Sequence, residues 1–196
     1  MIPRIFKTEN LAPVRPGRKT LHEMACAFAE EQFKLKGRAP FMWLMATGSN
    51  VAWIETNWSD DHEKRASTYL IRDMLQHMHA QAYSFITEAW VGAFTSEKFS
   101  ADEVKHWTEF SEKHGVSALP PHMRDDVLMI FSYDRDGPAN VTRYLVNIRE
   151  RGPNYLGVRV DEEQDLMWSG RMGNLFMPER RTEDVTKAAM AAAKGG

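Results

Sequence analysis

The chain is 196 residues long, 43% hydrophobic and 27% charged, with a formal net charge of -2. This composition is globular, neither disordered nor collagenous, and a domain of this size removes about 70% of its unfolded surface from water without needing a metal or a disulfide. No apolar run approaches the roughly 18 residues of a membrane span.

Met1 to Lys7 lacks the apolar core and small-residue cleavage site of a secretory signal. The single cysteine, Cys26, excludes an internal disulfide and lies in an apolar helical pattern between Met24 and Phe28. It reads as a small buried hydrophobe, and the chain as cytoplasmic. Residues 1–40 hold eight Lys/Arg against four Asp/Glu, whereas the rest is acidic. Arg4, Lys7, Arg15, Arg18 and Lys19 could contact phosphates. However, an acidic overall balance lacks the concentrated basic face of a nucleic-acid binder.

Residues 1–17, with Pro3, Pro13, Pro16 and Gly17, read as an extended N-terminal arm, and residues 18–196 as one domain. Thr20-Leu-His-Glu23 matches a capping box. Leu21, Met24, Ala25, Phe28 and Ala29 then follow at helical spacing until Gly37 and Pro40. Phe41–Ala46 and Val51–Ile54 are strands around the tight reversal Thr47-Gly-Ser-Asn50. Both are apolar on both faces, which places them inside a covered sheet.

Asp60-Asp-His-Glu63 caps a second helix, with Ala66, Leu70, Ile71, Met74, Leu75 and Met78 on its apolar side and Arg65 and Arg72 opposite. Residues 82–94 form a strand. Ser100-Ala-Asp-Glu103 caps a shorter helix with Val104, Trp107 and Phe110 inward, ending at Gly115. Three more strands, 127–133, 141–149 and 156–160, and a last helix from Thr182 to Lys194 complete the chain. The order predicts an α+β fold: a mainly antiparallel sheet of five to six strands with helices packed on a face.

Nucleotide fingerprints, a Gly-x-Ser-x-Gly elbow and a His-Glu-x-x-His helix are all absent, so no cofactor or metal is expected. His77 and His79, two residues apart, would point about 200° apart on a helix. Glu88 shares a strand face with Ile86 and Trp90 and needs a partner if covered, with Arg143 and Arg149 as candidates. Pro120-Pro-His-Met-Arg-Asp-Asp126 brings His122 and Arg124 to a strand end, so Glu88, His122 and Arg124 are the candidate residues of a small hydrolase.

Trp53, Trp90 and Trp107 lie in apolar patterns and read as core. Trp58 and Trp168 have polar neighbours and read as contact points for a partner. The leading expectation is a non-enzymatic binding or assembly module that works as a homodimer, with six Trp and twelve Met supplying apolar surface to cover.

The segment carrying Trp53, Trp58, Glu63-Lys64, Ala82-Tyr83 and Glu88-Ala89-Trp90 resembles uncharacterised proteins of phage and environmental bacterial genomes. That resemblance implies the setting of a small phage or bacterial accessory protein and no particular activity.

Overall fold

The computed structural model describes residues 3–93, 98–135, 139–149, 152–164 and 175–176. In chain order they form β1 (Arg4–Asn10), α1 (Arg18–Lys36), β2 (Met42–Thr47), β3 (Asn50–Glu55), α2 (Asp61–His77), β4 (Ala82–Gly92), α3 (Ala101–His114), β5 (Arg124–Asp134), β6 (Ala139–Asn147) and β7 (Tyr155–Gln164). Single 3₁₀ turns at Val116–Ala118 and Pro121–Met123 link α3 to β5. The expected helix from Thr182 and the contact residue Trp168 lie outside the described residues.

The strands make one antiparallel sheet in the order β1-β3-β2-β4-β5-β6-β7. The fold is α+β, as expected, with seven strands rather than five to six. The extra strand is β1, drawn from the stretch read as an arm. Its sequence, Arg-Ile-Phe-Lys-Thr-Glu-Asn, shows no alternation because it is a sheet edge and mostly exposed. What holds it is the ladder to β3, reinforced by Arg4 donating to Glu55. β3 and β4 run parallel to each other on either side of β2, so α2 crosses over between them.

The strands that are apolar on both faces serve two cores. Met42, Leu44, Ala46, Val51, Trp53, Ile86, Leu128 and Ile130 pack against Leu21, Ala25, Ala29 and Phe33 of α1. The alternate residues Trp43, Met45, Ala52, Ile54, Tyr83, Phe85 and Met129 pack against Ile71 and Leu75 of α2. The period of two thus sends neighbouring side chains into different layers. The helices therefore do not gather on one face: α1 and α2 cover opposite faces. Each fully buried large side chain here contributes about 1.5–3 kcal/mol of transfer free energy.

Local chemistry places the helix ends. Asp60 accepts from the Glu63 backbone N–H at 2.8 Å, and Ser100 and Glu103 form a reciprocal capping box. The expected box at Thr20 is not used: α1 starts three residues earlier, with Gly17 as its N-cap and no side-chain cap bond. On α2, Ser67, Thr68, Ile71, Arg72 and Leu75 are buried while Leu70 is exposed, so the helix is rolled relative to the expected face. α3 differs most. None of its residues is buried, and Trp107 and Phe110 are only half covered.

Candidate functional site

β4 outruns its neighbour β2. Their ladder extends from Ala46–Ala82 to Met42–Ile86, and the next like pair would set Pro40 opposite Glu88. Proline has no N–H to donate, so the ladder stops and the chain leaves the sheet toward α1. On its other side β4 stays paired with β5 as far as Gly92–Arg124. The bond from Ala93 N–H to Met123 C=O, 2.8 Å, sets the phase of that ladder. Odd-numbered residues of β4 bond to β5, and the backbone groups of Glu88, Trp90 and Gly92 face the open side. Among the described residues no strand pairs with them there.

A cleft of about 800 Å³ wraps this open end, within the usual range of about 300–1,000 Å³ for ligand sites. Because it curls around a strand edge, residues of both sheet faces line it. Phe33, Lys36 and Arg38 come from the α1 side, Lys64 and Phe85 from the α2 side, and Pro153 and Asn154 from the β6–β7 connection. Gly37, in the left-handed region at φ 68, ends α1 and lies directly against Pro153 and Asn154.

Glu88 stands in this cleft. Its carboxylate accepts the Ala39 backbone N–H at 3.2 Å. Although the residue is solvent-accessible, loss of water around the carboxyl pushes its pKa up and Asp126 adds to the shift, against the opposing pull of the Ala39 N–H and Arg38. Asp126 accepts from Trp90 Nε1 at 2.7 Å, and the Arg124 guanidinium lies 4.4 Å over the Trp90 ring.

Of the expected trio, Glu88 lines the cleft, Arg124 reaches it only through Trp90, and the exposed His122 is not among its lining residues. The expected partners of Glu88 are elsewhere. Register places Glu88 level with Leu128 and then Tyr144, so Arg143 points to the opposite face, while Arg149 lies over Tyr155. The residues brought to Glu88 are instead Arg38 and Asp126. Glu55, the other strand-end acid, is bound to Arg4.

The tryptophans also re-sort. Trp53 is core, as expected, but Trp90 is 47% exposed because its strand has lost its neighbour. Trp58 is half-buried and stacks on Phe41 at 4.4 Å, filling the rim of the α2-side core rather than standing free. His77 donates to the Asp73 carbonyl, and among the described residues no group of three or more His, Cys, Asp or Glu could hold a metal.

A buried polar chain under α1 was not foreseen. His22 lies between Ser132 Oγ and Thr142 Oγ1, 2.8 Å from each, and Ser132 meets Ser84 at 2.5 Å. Thr142 donates to Asp161, which Arg159 also binds. Because the Thr142 hydroxyl donates to the Asp161 carboxylate, Thr142 must accept from His22 Nε2–H, leaving Nδ1 to accept from Ser132 and Ser132 from Ser84. One neutral tautomer therefore satisfies the whole chain. Burial lowers the His22 pKa accordingly and raises that of neighbouring Cys26. Ser84, Ser132 and Thr142 are fully buried, so the chain joins helix to sheet and is no open catalytic site. The only hint in the sequence is three hydroxyl residues at core-facing strand positions, matched by a histidine on the apolar side of a helix.

No family model, no curated protein and no solved structure matches the chain. Among the described residues no helix is long and apolar enough to cross a membrane.

Proposed function

We propose that the protein is a non-enzymatic binding module acting through the cleft at the open end of β4. The observation that carries this reading is the cleft itself: about 800 Å³, with exposed Trp90 and accessible Glu88 beside Lys36, Arg38 and Lys64. A pocket with aromatic floor and a few converging charges is the usual form of a binding site. Among the described residues no Ser, Cys or His lines it, and His122 does not join Glu88. In this reading the module is cytoplasmic, and it serves as a phage or bacterial accessory protein in line with its resemblance. The homodimer belongs to it as well: Leu145, Val158 and Val160 leave an apolar strip on β6 and β7 for a second copy to cover. The basic arm carries less weight, since Arg4, Lys7 and Arg18 are engaged by Glu55, Glu9 and Asp134.

The test is a titration of the isotopically labelled chain with a panel of sugars, phosphates, carboxylates and peptides, read by amide resonances. At least one class should shift Lys36–Ala39 and Glu88–Trp90 and be recovered unchanged. Shifts confined to other surfaces overturn the cleft as the site. Glu88 beside Asp126 is the one feature favouring a hydrolase, and conversion of a panel member, abolished by Glu88→Gln, would establish that second reading.

A further inference from the structure

The open end of β4 is a sheet edge with a groove beside it, and the two together specify how a ligand binds. Three facts bear on this. First, the backbone N–H groups of Glu88, Trp90 and Gly92 and the carbonyls of Trp90 and Gly92 face the cleft without a strand partner among the described residues. The Glu88 carbonyl takes the Thr87 hydroxyl, 3.0 Å. Groups spaced at every second residue are what an incoming extended chain requires, whereas a compact ligand would use them one at a time. Second, the edge is recessed between Lys36–Arg38 at the end of α1 and Lys64 on α2. Such a notch takes a single extended chain and not the flat edge of another folded sheet.

Third, the charges are unequal. Three cations, Lys36, Arg38 and Lys64, stand against two acids, each hydrogen-bonded to a neutral donor: Glu88 to the Ala39 N–H and Asp126 to the Trp90 indole. Among the described residues no ion pair holds Lys36 or Arg38, Arg38 acting on Glu88 only from a distance, and Lys64 lies 5.8 Å over the Trp58 ring. The side chains of an added strand alternate between the two faces, so they would meet Lys36 and Arg38 on one side and Lys64 on the other. Val146 on the α1 side and Ala89 on the α2 side, both half-buried in the lining, supply the apolar contact on those same two sides.

We propose that the cleft binds an extended acidic peptide segment of a partner protein by strand addition to β4, antiparallel or parallel, between Glu88 and Gly92. This rests on the binding-module reading and names its ligand. The ladder supplies affinity that is indifferent to sequence, and the three cations choose acidic segments over basic ones.

Fluorescence anisotropy with labelled hexapeptides tests it on the full chain. The probes are a hexapeptide that repeats Val-Glu-Glu, which puts carboxylates on both faces of the strand, the same peptide N-methylated at alternate residues, and its counterpart with Lys in place of Glu. The Val-Glu-Glu probe should bind, and N-methylation or the Lys exchange should each weaken it about tenfold or more, the scale of a few lost hydrogen bonds or charge pairs. Arg38→Glu with Lys64→Glu should reverse the preference. Trp90→Pro removes one edge donor without touching the β5 ladder, and should weaken binding more than Trp90→Ala does.

Equal binding of the N-methylated probe would overturn strand addition and leave the cleft reading intact. Equal binding of the Lys probe would overturn the selection of acidic segments. Absence of binding by every peptide would overturn the proposal outright, while the small-molecule panel still decides whether the cleft is a site.

Discussion

Gly37→Ala tests whether the β6–β7 connection really walls the cleft. Gly37 has φ 68, a conformation that costs an L-residue roughly 1–2 kcal/mol. A Cβ there would also lie 2.7 Å from the Asn154 nitrogen and 2.8 Å from Pro153 Cβ. Neither neighbour is the tip of a flexible side chain, so backbone must move, at a cost of about 1–3 kcal/mol. The expected total is about 2–5 kcal/mol. Gly48 is the internal control. It sits in the β2–β3 turn at φ 62 with nothing within 4 Å of the added carbon, so Gly48→Ala should lose only the conformational part, roughly 1–2 kcal/mol. Both changes reduce the freedom of the unfolded chain alike, and that contribution cancels in the comparison. Urea unfolding at pH 7.5 measures the two losses directly. Equal losses would refute the close approach of Gly37 to Pro153 and Asn154, and with it the wall of the cleft.

Other expectations follow from the same geometry. His22→Ala should cost about 2–4 kcal/mol, because Ser132 and Thr142 lose their shared partner inside the core; a loss under about 0.5 kcal/mol would contradict the hydrogen-bond chain. Since burial depresses the His22 pKa, the unfolded state takes up a proton first as pH falls below its ordinary value of 6.5. Stability measured by urea unfolding should therefore be full above that pH and decline below it, and the His22→Gln variant should lack that component. Trp43→Phe should cost about 2 kcal/mol in thermal unfolding, since it strands the buried Thr56 hydroxyl that the indole N–H now meets at 3.0 Å. Glu88→Gln should leave stability unchanged, as an amide oxygen can still accept from Ala39. Light scattering at micromolar concentration should show a dimer that Val158→Glu dissociates; a strict monomer in the parent chain would refute the homodimer.

Sequence patterns recovered the elements whose reason is local. Helix starts at Asp60 and Ser100 were legible because a side chain two or three residues away satisfies the free N–H groups. The β2–β3 hairpin was legible because a Gly with positive φ sits between two apolar runs. β1 was not, because an edge strand with its faces in water carries no alternation. Trp90 looked like core for the opposite reason: its neighbours along the chain are apolar, but the ladder beside it has ended. Glu88 stands out in the sequence as a carboxylate in an apolar row, but the residues beside it, Arg38 and Asp126, do not follow from that row. Partners across a sheet depend on register, which a one-residue shift sends to the other face.

By itself, then, the amino-acid order determined the α+β class, the antiparallel pairing of its hairpins, the covered sheet and the prominence of Glu88. These follow from periodicity, capping and turn chemistry, all of which act within a few residues. Tertiary structure alone decided that α1 and α2 take opposite faces, that His22 joins Ser132, Thr142 and Asp161, and that β4 runs on past β2 into open solvent. Each of these depends on contacts between segments far apart in the chain, where register and layer order set which side chains meet. The proline at position 40 belongs to both accounts: its missing N–H is written in the sequence, but only the fold places that gap opposite Glu88.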